Sequence, residues 1–171
     1  MNFKLCLVIT LSLIVPFLKI NAQDSLRFSK NQIFLEGAGF GGYGSINYER
    51  LLYSGKRNLK LGIRSGIGTY RIKDFKNAFN PDIIIPVSVN IYYGRIHHGE
   101  LNFGQTLSSM VYANNTDLKI ERRNSLNANF GAGYRYQKNE SGIFLRMAYT
   151  PFLEQWIHFR HWWGISIGYS L

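Results

Sequence analysis

The chain has 171 residues and a formal net charge of +10; it is 46% hydrophobic and 15% aromatic, yet only 18% charged. Its lysines and arginines are scattered or set at segment ends instead of lining one stripe, which argues against a soluble nucleic-acid binder. After the N-terminal apolar run no second long one follows, which excludes a helical membrane protein but not a β-barrel, whose signal is spread over short alternating segments.

Residues 1–22, MNFKLCLVITLSLIVPFLKINA, read as a secretory signal peptide: Lys4 gives a positive start, Leu5 to Leu18 an apolar stretch, and Asn21-Ala22-Gln23 a small-residue exit. Cys6, the single cysteine, precedes most of the apolar stretch, so it does not suit lipid attachment, and the mature part has neither a disulfide nor thiolate chemistry. With Lys4 and Lys19 removed, the mature charge is +8. Residues 23–171 show no composition break and read as one domain.

Within that domain, strand-like segments alternate with turn-like ones. The first four are NQIFLEGAGF (31–40), GSINYERLL (44–52), LKLGIRSGIGTYRI (59–72) and IIIPVSVNIYYG (83–94). ELNFGQTLSSMVYA (100–113), SLNANFGAGYRYQ (125–137), IFLRMAYTPFL (143–153) and HWWGISIGYSL (161–171) follow. That makes about eight strands, each close to the length of a tilted membrane-spanning strand. Connections at 53–58, 95–99 and 138–142 are short, whereas 73–82 and 114–124 are long and 154–161 is intermediate. An even-stranded membrane barrel predicts this alternation, and only GGYG (41–44) is short where an outer loop is expected.

Side chains of a strand point alternately to opposite faces, so each segment sorts into two environments. One face carries Leu59, Leu61, Ile63, Ile67, Ile83, Ile85, Val87, Val89, Leu101, Phe103, Leu145 and Met147. The other carries Glu36, Asn47, Glu49, Lys60, Arg64, Asn90, Asn102, Thr106, Asn129, Arg135 and Arg146, interspersed with glycine and serine. Arg50 and Gln105 fall on the apolar face and Phe34 on the polar one. A water-facing wall would be densely charged with both signs. Small neutral residues with a few charges suit the crowded interior of a narrow barrel instead. Tyr48, Tyr93, Tyr134, Tyr136, Tyr149, Trp163 and Tyr169 border the apolar face as an aromatic girdle would at a membrane boundary. The expectation is therefore an all-β, eight-stranded antiparallel up-and-down transmembrane β-barrel with its apolar face toward lipid.

GFGGYGSINYER (39–50), IIIPVSVNIYYG (83–94), HHGELNFG (97–104), GYRYQ (133–137), GIFLRMAYTP (142–151) and the C-terminal GISIGYSL carry a family resemblance. On these motifs the chain resembles the small outer-membrane β-barrel proteins of Bacteroidetes-type bacteria, an OmpA/OmpX-like group largely without assigned function. The resemblance implies export to the outer membrane of a Gram-negative cell through a cleaved signal peptide, with insertion by the barrel-assembly machinery. Assembly signals of such barrels end in an aromatic residue; Leu171 departs from that pattern.

Among groups able to carry chemistry, Glu36, Glu49, Arg64, Arg135 and Arg146 are expected to pair in the lumen, because a buried charge without a partner is costly. Their expected role is a structural plug. His97 and His98 sit in an expected tight turn; His158 and His161 fall on opposite faces of a continuous strand, and with Glu154 they do not complete a metal site. No His-x-Ser occurs, and Ser166 in GISIG (164–168) shares a strand face with Gly164 and Trp162 but not with His161. The glycine-rich GAGFGGYG (37–44) lacks the lysine and helix of a phosphate loop. Catalytic, cofactor and metal residues are thus not expected. Lys73 and Lys76 in one loop, and Lys119, Arg122 and Arg123 in another, form a cationic surface suited to lipopolysaccharide phosphates. A structural or surface-interaction protein in contact with outer-membrane lipid and lipopolysaccharide, and not nucleic acid, is the primary reading. The alternatives are a lipid-modifying barrel enzyme and a secreted lipocalin-like carrier of apolar ligands.

Overall fold

Strict alternation of side chains gives each strand one apolar and one polar face, and an antiparallel sheet with two such faces removes its edges by closing on itself. A computed structural model, describing residues 28–55, 58–113, 120–138, 141–154 and 158–171, takes this form. Its strands are β1 (Asn31–Ala38), β2 (Gly44–Ser54), β3 (Leu59–Thr69), β4 (Ile83–Gly94), β5 (His97–Ala113), β6 (Ile120–Tyr136), β7 (Gly142–Tyr149), β8 (Phe152–Glu154), β9 (His158–Arg160) and β10 (Trp163–Ser170). Neighbours from β1 to β7 pair in chain order, β7 pairs with β10, and β10 returns to β1, so eight staves close an antiparallel up-and-down barrel. The closing seam runs from Gln32 opposite Ser170 to Ala38 opposite Gly164. The signal-peptide stretch 1–22 lies outside the described residues.

The last two staves are interrupted, not simply terminated. Pro151 has no N–H to give to a ladder, and Thr150 N instead donates to Trp162 O at 2.8 Å. Beyond the break, β8 resumes pairing with β6 and forms a small hairpin with β9. β5 and β6 are each 17 residues long and pair along their whole length. β4, the next longest strand, has 12 residues, so this pair rises above its neighbours. One rim, here the turn end, holds the short turns, the start of β1 and the end of β10. The other, the loop end, holds the long connections.

Two shifts of expected boundaries move residues singled out above. β5 begins at His97, so His97 and His98 open a strand and are not turn residues: alternation continues back past Glu100, placing His98 inside and His97 outside. β6 begins at Ile120, so Arg122 and Arg123 stand on a strand and not in an outer loop. The 70–82 connection is itself folded, with a bridge between Lys73 and Phe79 and a bond from Asp82 N to Arg71 O.

Orientation of the two faces follows directly from exposure. Ile33, Leu35, Ile46, Ile67, Leu101, Phe103, Leu145, Met147, Ile165 and Ile167 are exposed on the outside. Glu36, Asn47, Glu49, Arg64, Asn90, Asn102, Arg135, Arg146 and Ser166 are buried inside. Phe34, the aromatic on the polar face, packs edge-on against Phe144 with centroids 5.6 Å apart and lies 4.9 Å from the Arg64 guanidinium carbon.

Candidate functional site

The inward positions of the staves bring three carboxylates and three guanidiniums into one connected file. Arg64 (β3) donates to Glu36 (β1) through a short contact. Glu36 also accepts from Arg146 (β7) at 2.7 Å, and Arg146 donates to Glu100 (β5) at 2.7 Å. Glu100 accepts from Arg135 (β6) at 2.8 Å, and Arg135 reaches Glu49 (β2) at 2.9 Å. All six side chains are fully shielded from solvent. Opposite signs alternate along the file, so each interior member has a counter-charge on both sides.

Register explains why Glu100 is needed. Arg135 and Arg146 stand directly opposite each other on β6 and β7. Like charges in that position repel, and the repulsion grows where water is excluded. Glu100 accepts from the Nε of both arginines, one on each carboxylate oxygen, and turns a repulsive pair into a bridged one. Sequence reasoning identified the other five members and missed this one. The signal was present: Glu100 shares the parity of Asn102 and Thr106, both recognised as polar-face residues.

Neutral side chains complete the hydrogen bonding that charge-pairing leaves open. Asn47 Oδ1 accepts from Arg64 at 2.8 and 3.0 Å, and Asn102 Oδ1 accepts from Arg146 at 2.6 Å. Gln32 Oε1 accepts from Arg135 at 2.7 Å. Glu49 receives Tyr92 Oη at 2.9 Å and Asn90 Nδ2 at 2.5 Å, both from β4, and Ser166 of β10 touches Glu36 at 3.5 Å. Every stave therefore contributes a polar side chain. A buried ion pair repays its desolvation only when its polar atoms are largely satisfied, and among the described atoms of this network only Arg64 Nη1 and Gln32 Nε2 lack a partner. Arg64 Nη1 has no acceptor; its guanidinium lies beside the rings of Phe34 and Phe40.

Each end of the file meets an aromatic ring. At the turn end, Phe28 packs against Tyr92 and His98, and Lys60 Nζ sits 4.5 Å over its ring while donating to Gly94 O at 2.7 Å. Lys60 Nζ also lies 3.0 Å from His98 Nε2. At the loop end, the turn Gly39–Gly41 folds into the barrel, burying Phe40, whose carbonyl accepts from Thr106 Oγ1 at 3.3 Å. Gly39 makes this possible. Its φ is +80°, and a Cβ there would lie 2.4 Å from the Glu36 carboxyl carbon. The short β1–β2 connection, which departs from the loop-length pattern, is thus an inward cap over Gly39–Gly41.

Above Phe40 a cleft of about 390 Å³ opens toward the loop end. Tyr43, Tyr70 and Trp162 stand on one side with their rings in mutual contact, at centroid distances of 5.4, 5.8 and 6.4 Å. Thr106, Ser108, Ser125, Asn127 and Asn129 line the β5–β6 wall. Arg71 and Arg160 complete the rim.

The described cationic residues picked out from sequence stand on two elements, the 70–82 connection and β6. Lys73 and Lys76 are exposed on the 70–82 connection. Arg122 is tied to that connection, donating to Asn80 Oδ1 at 2.5 Å and Pro81 O at 3.0 Å. Arg123 pairs with Glu121 at 3.6 Å. Lys119 lies outside the described residues. Of the aromatic set, Tyr93, Tyr134, Tyr136 and Tyr169 lie near strand ends at the turn end. Tyr48 joins them, opposite Ile33 near the start of β1, while Tyr149 and Trp163 face each other near the loop end. Tyr149 Oη lies 2.5 Å from His161 Nδ1. Among the described residues no three His, Cys, Asp or Glu side chains converge as metal ligands; the side chains of Glu154 and His158 fall outside that set.

No family model matches the chain, and no curated protein matches it. Among solved structures, it is similar to the N-terminal β-barrel domain of Pseudomonas aeruginosa OprF, with a TM-score of 0.55 and 13% sequence identity. The similarity covers 81% of this chain and 93% of that one. At that identity the shared property is the eight-stranded barrel fold.

Proposed function

We propose that this chain is an integral outer-membrane barrel with a structural or surface-interaction role, its lumen plugged and its loop end facing outward. The observation that carries the reading is the alternating file Arg64–Glu36–Arg146–Glu100–Arg135–Glu49, drawn from six staves and lying wholly inside the barrel. Eight staves leave an interior that side chains alone fill, and here those side chains are held by reciprocal charge. Among the described residues, the middle of that interior leaves no apolar cavity for a lipocalin-like cargo. The outward aliphatic surface is what a hydrocarbon contact requires. In this reading the chain belongs with the small barrels of Bacteroidetes-type bacteria, exported by a cleaved leader over residues 1–22 and inserted by the assembly machinery. It does no catalysis.

Two measurements test it together. The protein should fractionate with the outer membrane and show heat-modifiable gel migration; a monomer that stays dissolved in plain buffer would overturn the membrane placement. Reconstituted in planar bilayers it should show no steady conductance, and a stable open channel would overturn the plug.

A second reading, contact with lipopolysaccharide phosphates, is favoured by Arg122. Its bonds to Asn80 and Pro81 hold the 70–82 connection against the β5–β6 hairpin, presenting Lys73 and Lys76 from a fixed platform. Replacing Lys73, Lys76 and Arg123 with glutamine should weaken lipopolysaccharide binding, with the salt dependence expected of exposed charges.

A further inference from the structure

The cleft above Phe40 is not part of the plug, and its lining differs in kind. We propose that it is a binding site for an acidic saccharide, a short glycan carrying a carboxylate or phosphate. At about 390 Å³ it lies in the size range of small-ligand sites, roughly 300–1,000 Å³. Three features of its walls select the ligand class.

The first is the ring cluster. Tyr43 comes from the β1–β2 turn, Tyr70 follows the end of β3 and Trp162 precedes the start of β10, and each ring is in contact with the other two. Rings fixed by their neighbours form a platform that costs little entropy to use. A sugar presents flat C–H faces that pack on such a surface.

The second is the wall contributed by β5 and β6. Asn129 Nδ2 donates to Thr106 Oγ1 in a short contact, Asn127 Nδ2 donates to Ser108 Oγ at 3.4 Å, and Ser108 and Ser125 share a bond of 2.7 Å. These bonds hold the groups in a strip while the hydroxyl oxygens keep acceptor capacity. A ligand rich in hydroxyls matches that strip, whereas an aliphatic ligand would leave it desolvated and unmatched.

The third feature is charge. Arg71 and Arg160 line the cleft, and no carboxylate does among the described lining residues. Arg71 is positioned by buried Asp82 at 3.5 Å and by Val111 O at 3.3 Å. A cation is disfavoured here and an acidic group favoured.

The test is isothermal titration calorimetry on the full refolded barrel in zwitterionic detergent. Digalacturonate, its neutral counterpart digalactose, inorganic phosphate and adenosine monophosphate serve as probes. Digalacturonate should bind saturably and at least tenfold more tightly than each of the other three. Trp162→Ala should weaken it about tenfold, and Arg160→Gln should reduce it toward the affinity of digalactose, both with heat-modifiable migration intact. Competition with core oligosaccharide released from lipopolysaccharide then separates sources: displacement assigns a glycan of the cell's own surface, and no displacement assigns a free external glycan. The proposal is overturned if the folded barrel binds no saccharide, if phosphate or the nucleotide binds as tightly as digalacturonate, or if Trp162→Ala has no effect. None of these outcomes depends on conductance, so the plug and the cleft stand or fall separately.

Discussion

The middle of the lumen and its outer mouth are built on the same strands, yet they solve different problems. In the middle, long charged side chains cross the barrel and hold one another. At the mouth, serine, threonine and asparagine on the same two long strands leave space unfilled. The difference lies in side-chain reach. An arginine on one wall can meet a glutamate on the far wall, but a serine only meets its neighbour. Where reach ends, the packed interior gives way to a cleft, and Phe40 marks the boundary.

The largest effect should come from the middle. Glu100→Gln leaves Arg135 and Arg146 opposed without their bridge, and removing one partner of a buried charge pair costs about 3–5 kcal/mol. A fall in the urea midpoint of the reconstituted barrel measures it. On the outer face, Ile165→Lys should cost about 2–4 kcal/mol if that residue lies near the bilayer midplane. The same change made in detergent micelles should cost less, which checks the lipid contact. At the boundary, Gly68→Ala would set a Cβ 2.0 Å from Gly41 O and displace the inward turn. Overpacking of this kind costs about 1–3 kcal/mol, and new proteolytic cutting between residues 39 and 43 would report it. At the mouth, Arg122→Ala should change stability by less than about 1 kcal/mol, because its bonds are exposed. It should nonetheless speed cutting of the 70–82 connection. Ser125→Ala should be the mildest, within about 0.5 kcal/mol.

Much of the barrel was legible because alternation is a local signal. Parity sorted Asn47, Glu49, Arg64, Asn90, Asn102, Arg135 and Arg146 onto one face and Leu101, Phe103, Leu145 and Ile165 onto the other, and the sparse charge of the polar face turned it inward. Register between strands is not local. Nothing in the segment around Arg135 says that Arg146 will stand opposite it, so the need for Glu100 could not be read. His98 was lost because its strand was started three residues late. The inward turn was hidden for another reason. Gly39 and Phe40 read as the end of the first strand until the close approach of Glu36 and Thr106 is known. The loop placement of Arg122 could not be read either, because β6 extends beyond its expected start and commits that residue to a neighbour.

Single-file alternation also constrains how this interior can change over time. Deleting one member strands an odd elementary charge in a place water does not reach, whereas losing two adjacent members together, such as Arg64 with Glu36, keeps the sum at zero. Substitutions among these six positions should therefore travel in couples across related barrels, and a lineage caught with a lone replacement should carry a compensating one on the next residue along.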